Sequence, residues 1–345
     1  YQSLSRGLGD VYKRQTWIFP VEPSMRLIGD TIEFCTKEVP RYYPVSVCGY
    51  HIRESGAHPV QEMAYGFASA QAYSRDAMER GLDIDAFAHR ISFNFDIHGN
   101  LWEQVAKFRA GRRLWAKILK EKYGAKNPRS MQLRMIAGGG GGGLTIQQPE
   151  NNIVRGAYYA LASALSGTQT MALCSYDEAY TIPSEHAARL SLRTMQIMLD
   201  EIGLTDTVDP LAGSYFIEST TNEMEKKILA IMDQLEADGG IIAGVSEGHV
   251  QAAVNRQAYE LERRIHSGDF KKVGVKGFRD EKEDAREVEF HPYRAEEAER
   301  QRQRLARVRR ESDGKAVGTA LAAVRAAAEQ GINVMPAVID AVQAY

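Results

Sequence analysis

Between Pro44 and Asp200 the chain repeats one plan four times: a short apolar run, then polar residues, then a stretch of helical periodicity. The runs are Pro44 to Cys48, Arg90 to Phe95, Met131 to Ala137 and Gln169 to Cys174. A strand that recurs after each helix pairs parallel with the one before, because a helix-length crossover returns the chain to the same end of the sheet. The fold class is therefore α/β, with a parallel sheet and helical crossovers. Four strands do not close a barrel. In a (β/α) barrel the chemistry sits at the carboxyl ends of the strands, so the polar residues ending each run are where function is sought.

Helical spacing fills the intervals. Met25, Ile28, Ile32 and Cys35 mark a helix over Pro23 to Glu38, and a second covers Pro59 to Arg80. A short one near Asp83 to Ala88 leads into the second strand. Leu101, Val105, Phe108, Leu114 and Ile118 mark a long amphipathic helix. Ile153 to Leu165 forms the next, with Thr145 and Gln148 fitting a capping box before it, and Pro183 to Asp200 the last of the series. Beyond Asp209-Pro210-Leu211-Ala212-Gly213 helices dominate: Glu223 to Ala237, Val250 to Ser267, Ala295 to Glu311 and Ala316 to Gln330. A charged, β-branched stretch from Lys271 to Pro292 interrupts them. The charge-rich run Arg294 to Arg310 reads as a solvated helix face. Residues 1–15 have no hydrophobic period and read as a non-native prefix, set aside from fold reasoning.

Composition excludes more than it selects. Lys and Arg total 43 against 45 Asp and Glu, a formal charge of −2, so no basic field argues for nucleic acid. No apolar run approaches the roughly 20 residues of a membrane span. Cys35, Cys48 and Cys174 are too few and too scattered for a disulfide framework, and fit a reducing, cytoplasmic setting.

His51 is the leading catalytic candidate from position. It follows a β-branched strand and a Gly49-Tyr50 turn, and imidazole can donate to a developing oxygen charge near neutral pH. Arg90 and Ser92 lie two apart, placing both side chains on one face of a strand. The alternative for Arg90 is a structural pairing with Asp85 or Asp96. The glycine tract Gly138 to Gly143 satisfies a dinucleotide fingerprint trivially, but Leu144 to Gln148 separates it from the helix and no acid ends a second strand about 20 residues on. No cysteine pair has zinc spacing, and no metal site is expected.

Four segments, read together, resemble the large-subunit barrel of the methylmalonyl-CoA mutase family, the adenosylcobalamin-dependent acyl-CoA mutases. They are Thr16-Trp17-Ile18-Phe19-Pro20 with Pro23-Ser24-Met25-Arg26, Val47 to Gly56 with Tyr50-His51 inside it, Arg90-Ile91-Ser92-Phe93, and Gly167-Thr168-Gln169 running to Ser175-Tyr176-Asp177-Glu178-Ala179. The resemblance implies that these strands are the C-terminal half of a (β/α)8 TIM barrel, spanning 16–208, with 209–345 a helical linker towards a cobalamin domain. It implies that His51 hydrogen-bonds the substrate thioester carbonyl with Tyr50 beside it. Arg90, Ser92 and Gln169 would hold coenzyme A, and Glu178 the adenosyl ribose. The cobalt ligand would come from a domain or small subunit outside this chain, since the nearest approach to Asp-x-His-x-x-Gly, Asp96-Ile97-His98, has Leu101 at the glycine position. On this reading the chain is a gene fragment, inactive alone, of an enzyme expected to be oligomeric. Its reaction would be radical carbon-skeleton isomerisation of an acyl-CoA.

The chain also departs from the family. Where the family carries histidine, glutamine and other polar or bulky residues, this sequence has Ile136, Ala137 and the tract beginning Gly138, Gly139, Gly140. Ala172 and Cys174 replace a histidine and an asparagine. Two expectations follow: an enlarged pocket that prefers a bulkier or less polar acyl group, or a backbone nest for an anion. Isobutyryl-, 2-hydroxyisobutyryl- and bulkier alkyl- or arylmalonyl-CoA are the alternative substrates, and a non-catalytic acyl-CoA-binding or assembly subunit the alternative of another class.

Overall fold

A computed structural model describes residues 19–279 and 290–344. Residues 1–18, which include Thr16-Trp17-Ile18, and the middle of the Lys271 to Pro292 stretch lie outside the described residues. In chain order the first elements are α1 (Val21–Lys37), β1 (Val45–Cys48), α2 (Gly49–Glu54), α3 (Pro59–Glu79), α4 (Ile84–Phe87), β2 (Ile91–Asp96) and α5 (Leu101–Lys117). Then follow β3 (Arg134–Gly138), α6 (Asn151–Leu165), β4 (Thr170–Ala172) and α7 (Glu185–Asp200). The strands form one parallel sheet in the order β1-β2-β3-β4. No described helix is long and apolar enough to cross a membrane.

The sheet has two unlike faces, as the period of two requires. Val47, Phe93, Phe95, Met135 and Ala137 point into the helical layer and are buried. There Phe67, Phe93, Phe95 and Trp115 interlock, with Phe93 to Trp115 at 5.0 Å between ring centroids. The opposite face, half-exposed, carries Ser46, Ser92 and Arg134 in one row and Cys48, Asn94 and Ile136 in the next. Caps set the helix starts: Asn100 Oδ1 accepts from the N–H of Trp102 (3.0 Å) and Glu103 (3.1 Å), and His58 with Gln61 makes a reciprocal capping box on α3.

Three local expectations are corrected. Arg90 is not in the second strand. It closes a 3₁₀ turn, Ala88–Arg90, because α4 runs directly into it. β3 begins at Arg134, since the chain is still turning at Met131. Thr145 and Gln148 form no capping box: Gln148 adopts φ 47, and α6 starts beyond Pro149 with Glu150 as a cap that makes no side-chain bond. Asn152 does the fastening instead, accepting from Thr145 N (3.1 Å) and donating to Thr145 O (2.7 Å) and Tyr176 O (2.8 Å).

The helices after residue 208 are α8 (Tyr215–Ala237), α9 (Gly240–Ser246), α10 (His249–Ser267), α11 (Ala295–Glu311), α12 (Gly314–Glu329) and α13 (Met335–Ala344). The hydrophobic core runs on across residue 209. Met224, Ile228, Met232 and Leu235 of α8 and Ile241 and Val245 of α9 share it with the strands. Salt bridges line the α5–α8 seam, Lys117 to Glu225 at 2.6 Å and Arg109 to Glu218 at 2.6 Å. The chain end returns to α1, where Arg26 Nη1 donates to Ala328 O (2.6 Å) and Val334 N to Asp30 Oδ2 (3.0 Å). α11 buries no residue, as its charge density predicts.

Candidate active site at the carboxyl ends of the strands

His51 lies in the first turn of α2, directly beyond β1, where the sequence suggests a turn. Gly49 permits that tight entry, because a Cβ there would stand 2.7 Å from the Phe95 ring. His51 is 7% exposed, and its ring meets the Tyr50 ring edge-on at 5.2 Å.

Below this pair runs a buried polar chain that sequence reasoning does not anticipate. Lys107 Nζ, with no exposure, donates to Glu62 Oε2 (2.8 Å) and to the Asp96 carbonyl (2.6 Å). Glu62 Oε1 accepts from Asp96 N (2.6 Å). Asp96 Oδ1 accepts from Ile97 N (2.7 Å), and Oδ2 lies 2.8 Å from His98 Nδ1. Glu54 hydrogen-bonds Asp96 and accepts from Gly142 N (2.9 Å). The ligand-type atoms of Glu54, Asp96 and His98 fall within 4.8 Å of one another, and a hydrogen-bond network joins them.

Charge explains the protonation. Lys107 offsets Glu62, which leaves Glu54 and Asp96 side by side. Burial, then the Asp96 charge and hydrogen bond, lift the Glu54 carboxyl to about 7. Below about pH 7 it therefore donates to Asp96 as a neutral acid. Burial, with Arg53 nearby, drops His98 to about 3, so its imidazole is neutral. Burial also pushes the Tyr159 hydroxyl up to about 12 and that of Tyr50 further still.

The glycine tract is packed, not open. A Cβ at Gly138 would stand 2.2 Å from Tyr50 Cδ2, and one at Gly139 1.9 Å from the Cys174 nitrogen. One at Gly143 would stand 2.3 Å from the Tyr159 hydroxyl, and one at Gly140, whose φ is 71, 2.8 Å from His98 Cβ. Each omitted side chain makes room for a neighbour, so the vacant volume expected of the tract is absent at these positions. Nor are the tract's N–H groups all free for a ligand: that of Gly142 already donates to Glu54 Oε1. From the other side Lys272 Nζ approaches Gly142 O at 3.5 Å, and Arg155 Nη2 donates to Val273 O (2.8 Å), folding that segment over the tract.

The remaining candidates scatter. Arg90 and Ser92 do not share a face. The Arg90 guanidinium is buried and donates to Cys35 O (3.0 Å), Thr36 Oγ1 (3.0 Å) and Ala86 O (2.8 Å), not to Asp85 or Asp96. The cation beside Ser92 is Arg134, its register partner. Gln169 is held by β3, accepting from Met135 N (2.9 Å) and donating to Leu133 O (3.3 Å). Glu178 is exposed at the rim, oriented by Ser175 N at 3.0 Å, close enough to Cys174 that burial and its charge raise that thiol. It precedes α7 by a turn and is not a helix-start acid; Asp177 Oδ2 instead accepts from Ser184 N (2.9 Å), the α7 cap. For Glu54 a signal existed, since it sits three residues beyond His51 on one short helix. For Lys107, a lone cation between Ala106 and Phe108, it was faint.

The family model described as methylmalonyl-CoA mutase matches residues 7–345. The chain is 40% identical over 338 residues to the 2-hydroxyisobutanoyl-CoA mutase large subunit of Aquincola tertiaricarbonis, covering 98% of this chain and 60% of that protein. It is 40% identical over 332 residues to a methylmalonyl-CoA mutase of Cereibacter sphaeroides (96% and 46%). With the human mitochondrial methylmalonyl-CoA mutase the identity is 37% over 332 residues (96% and 44%). The chain thus spans about half the length of the curated relatives it matches. A match along almost the whole chain settles its kinship: this protein belongs to the methylmalonyl-CoA mutase family.

Proposed function

We propose that this chain forms the acyl-CoA-binding half of the barrel of an adenosylcobalamin-dependent carbon-skeleton mutase, with His51 as the group that polarises the substrate carbonyl. The observation that carries the reading is the placement of His51 at the head of a sheet face lined by small polar residues. Ser46 and Ser92 leave room along that face for an extended pantetheine chain, and Arg134 beside them supplies a cation suited to phosphate. Arg90 serves the fold, holding the C-terminal turn of α1 against β2.

His51 donates a hydrogen bond to the thioester oxygen as charge grows there during migration. Tyr50, wedged against Gly138, walls the site beside it. The cofactor, when bound, supplies radical initiation. Glu178 fits its adenosyl part: an exposed carboxylate, already oriented by Ser175 N, suits two ribose hydroxyls. The described residues offer no cobalt ligand of the expected pattern, since His98 is engaged with Asp96 beneath the glycine tract. The cobalt ligand and the other barrel strands then belong to parts of the enzyme beyond this chain.

The test is product analysis with the complete enzyme, adenosylcobalamin and a panel containing methylmalonyl-, 2-hydroxyisobutyryl-, isobutyryl- and a bulkier alkylmalonyl-CoA. Rearranged product from one of them is expected. Acyl-CoA binding with no rearrangement of any would turn the reading to a non-catalytic subunit.

A further inference from the structure

We propose that Gly138 is a positioning residue for Tyr50, and that the two together set how large an acyl group the site accepts. Gly138 ends β3 in register with Asp96 and Ala172. By the alternation of the strand it faces the same side as Arg134 and Ile136, the open face of the sheet. The ring of Tyr50 lies over it. A Cβ at 138 would stand 2.2 Å from Tyr50 Cδ2, 2.4 Å from Cε2 and 3.3 Å from Cγ. Contact reaching Cγ is not relieved by rotating the ring about its own axis, so the whole side chain must swing away. On one side its retreat meets His51, edge-on at 5.2 Å. A ring displaced from this seat over the open face moves into the space where the acyl group would lie.

The neighbouring glycine contacts differ in kind. Gly139 abuts the backbone at Cys174, so substitution there disturbs the β3–β4 junction itself. At Gly138 the obstacle is one side chain, and removing that side chain removes the obstacle. The pair can therefore be tested by reciprocal rescue.

The size-selection part rests on the acyl-CoA mutase reading, whereas the packing part does not. Four forms of the complete enzyme are compared: wild type, Gly138→Ala, Tyr50→Ala and the double variant. Thermal unfolding should show Gly138→Ala lowering Tm by about 3 °C or more in the wild-type background and by less than about 1 °C in the Tyr50→Ala background. Equal losses in both backgrounds would overturn the packing. If Gly138→Ala does not fold, recovery of a folded protein in the double variant supports the contact, and failure of both with Tyr50→Ala folded overturns it. In the isomerase assay, the kcat/KM ratio of a bulkier alkylmalonyl-CoA to methylmalonyl-CoA should fall roughly tenfold in Gly138→Ala and recover in the double variant. A ratio unchanged within twofold overturns the role in size selection. Absence of isomerisation by the wild type strikes the proposed function and leaves the unfolding comparison standing.

Discussion

The two halves of the site are built from opposite materials. At the ends of β1 and β2 the chain supplies side chains: Tyr50, His51, Glu54, Asp96 and His98, with Lys107 and Glu62 beneath them. At the end of β3 it supplies backbone, a run of glycines against which those side chains rest. Loss of polar side chains from the second half is therefore not loss of packing. The groups that fill the space come from the first half and from α6, where Tyr159 stands edge-on to His98 at 6.4 Å. The lesson is that a substitution to glycine is read from what its neighbour does with the room.

If chemistry and rigidity both reside in the first half, substitutions there should cost most. The largest stability effect is expected for Lys107→Met, which leaves Glu62 and Asp96 buried without their cation. Urea unfolding should show a loss of about 3–5 kcal/mol. A loss below about 1 kcal/mol would mean that the network is not the keel of this half.

Next comes His51→Ala in the complete enzyme. It should lower kcat by roughly 10²–10³, equivalent to about 3–4 kcal/mol of barrier, with acyl-CoA affinity little changed. An increase in KM alone would make His51 a structural residue.

The proton on Glu54 sharpens the comparison further. Its folded-state value of about 7 lies above the ordinary 4.5, so the folded chain binds more protons between those values and its stability falls as pH rises through that window. Relative to Glu54→Gln, the wild type should hold its stability below about pH 5 and lose of the order of 2 kcal/mol by pH 8. His98, depressed to about 3, has the opposite slope, its stabilisation being present at neutral pH and lost as pH falls towards 3. That slope is present in both proteins and largely cancels in the difference. A flat difference curve would place the proton elsewhere.

The smallest effect belongs to the backbone half. Gly142→Ala brings a Cβ 3.1 Å from the flexible end of Glu54, and nothing else crowds it. Unfolding free energy should change by less than about 1 kcal/mol. A larger loss would show the tract to be as demanding at 142 as at 138.

Much of this was legible in advance. Each strand overlaps the apolar run that announces it, because burial against helices writes a local pattern of apolar residues. β1, Val45–Cys48, falls one residue inside its run, and β2, Ile91–Asp96, is shifted by one. The position of His51 beyond β1 was equally readable. Arg90 was not: a two-residue spacing implies a shared face only if both residues are in the strand, and α4 pushes Arg90 into a 3₁₀ turn. Nor was Gln169 readable, since an amide reaching β3 leaves no trace in its neighbours.

What the sequence determined by itself was the alternation of strands and helices, the parallel sense of the sheet and the family to which the chain belongs. These follow from local periodicity and from motifs contiguous along the chain. Only the tertiary structure decided that Glu54, Asp96 and His98 share one buried network, that Arg134 and not Arg90 accompanies Ser92, and that the glycines are filled rather than empty. Those facts depend on distances between residues about 40 to 90 positions apart, such as Glu54 to Gly142 and Tyr50 to Gly138. A glycine is written identically whether it leaves a cavity or admits a ring, and steric contact between distant segments decides which.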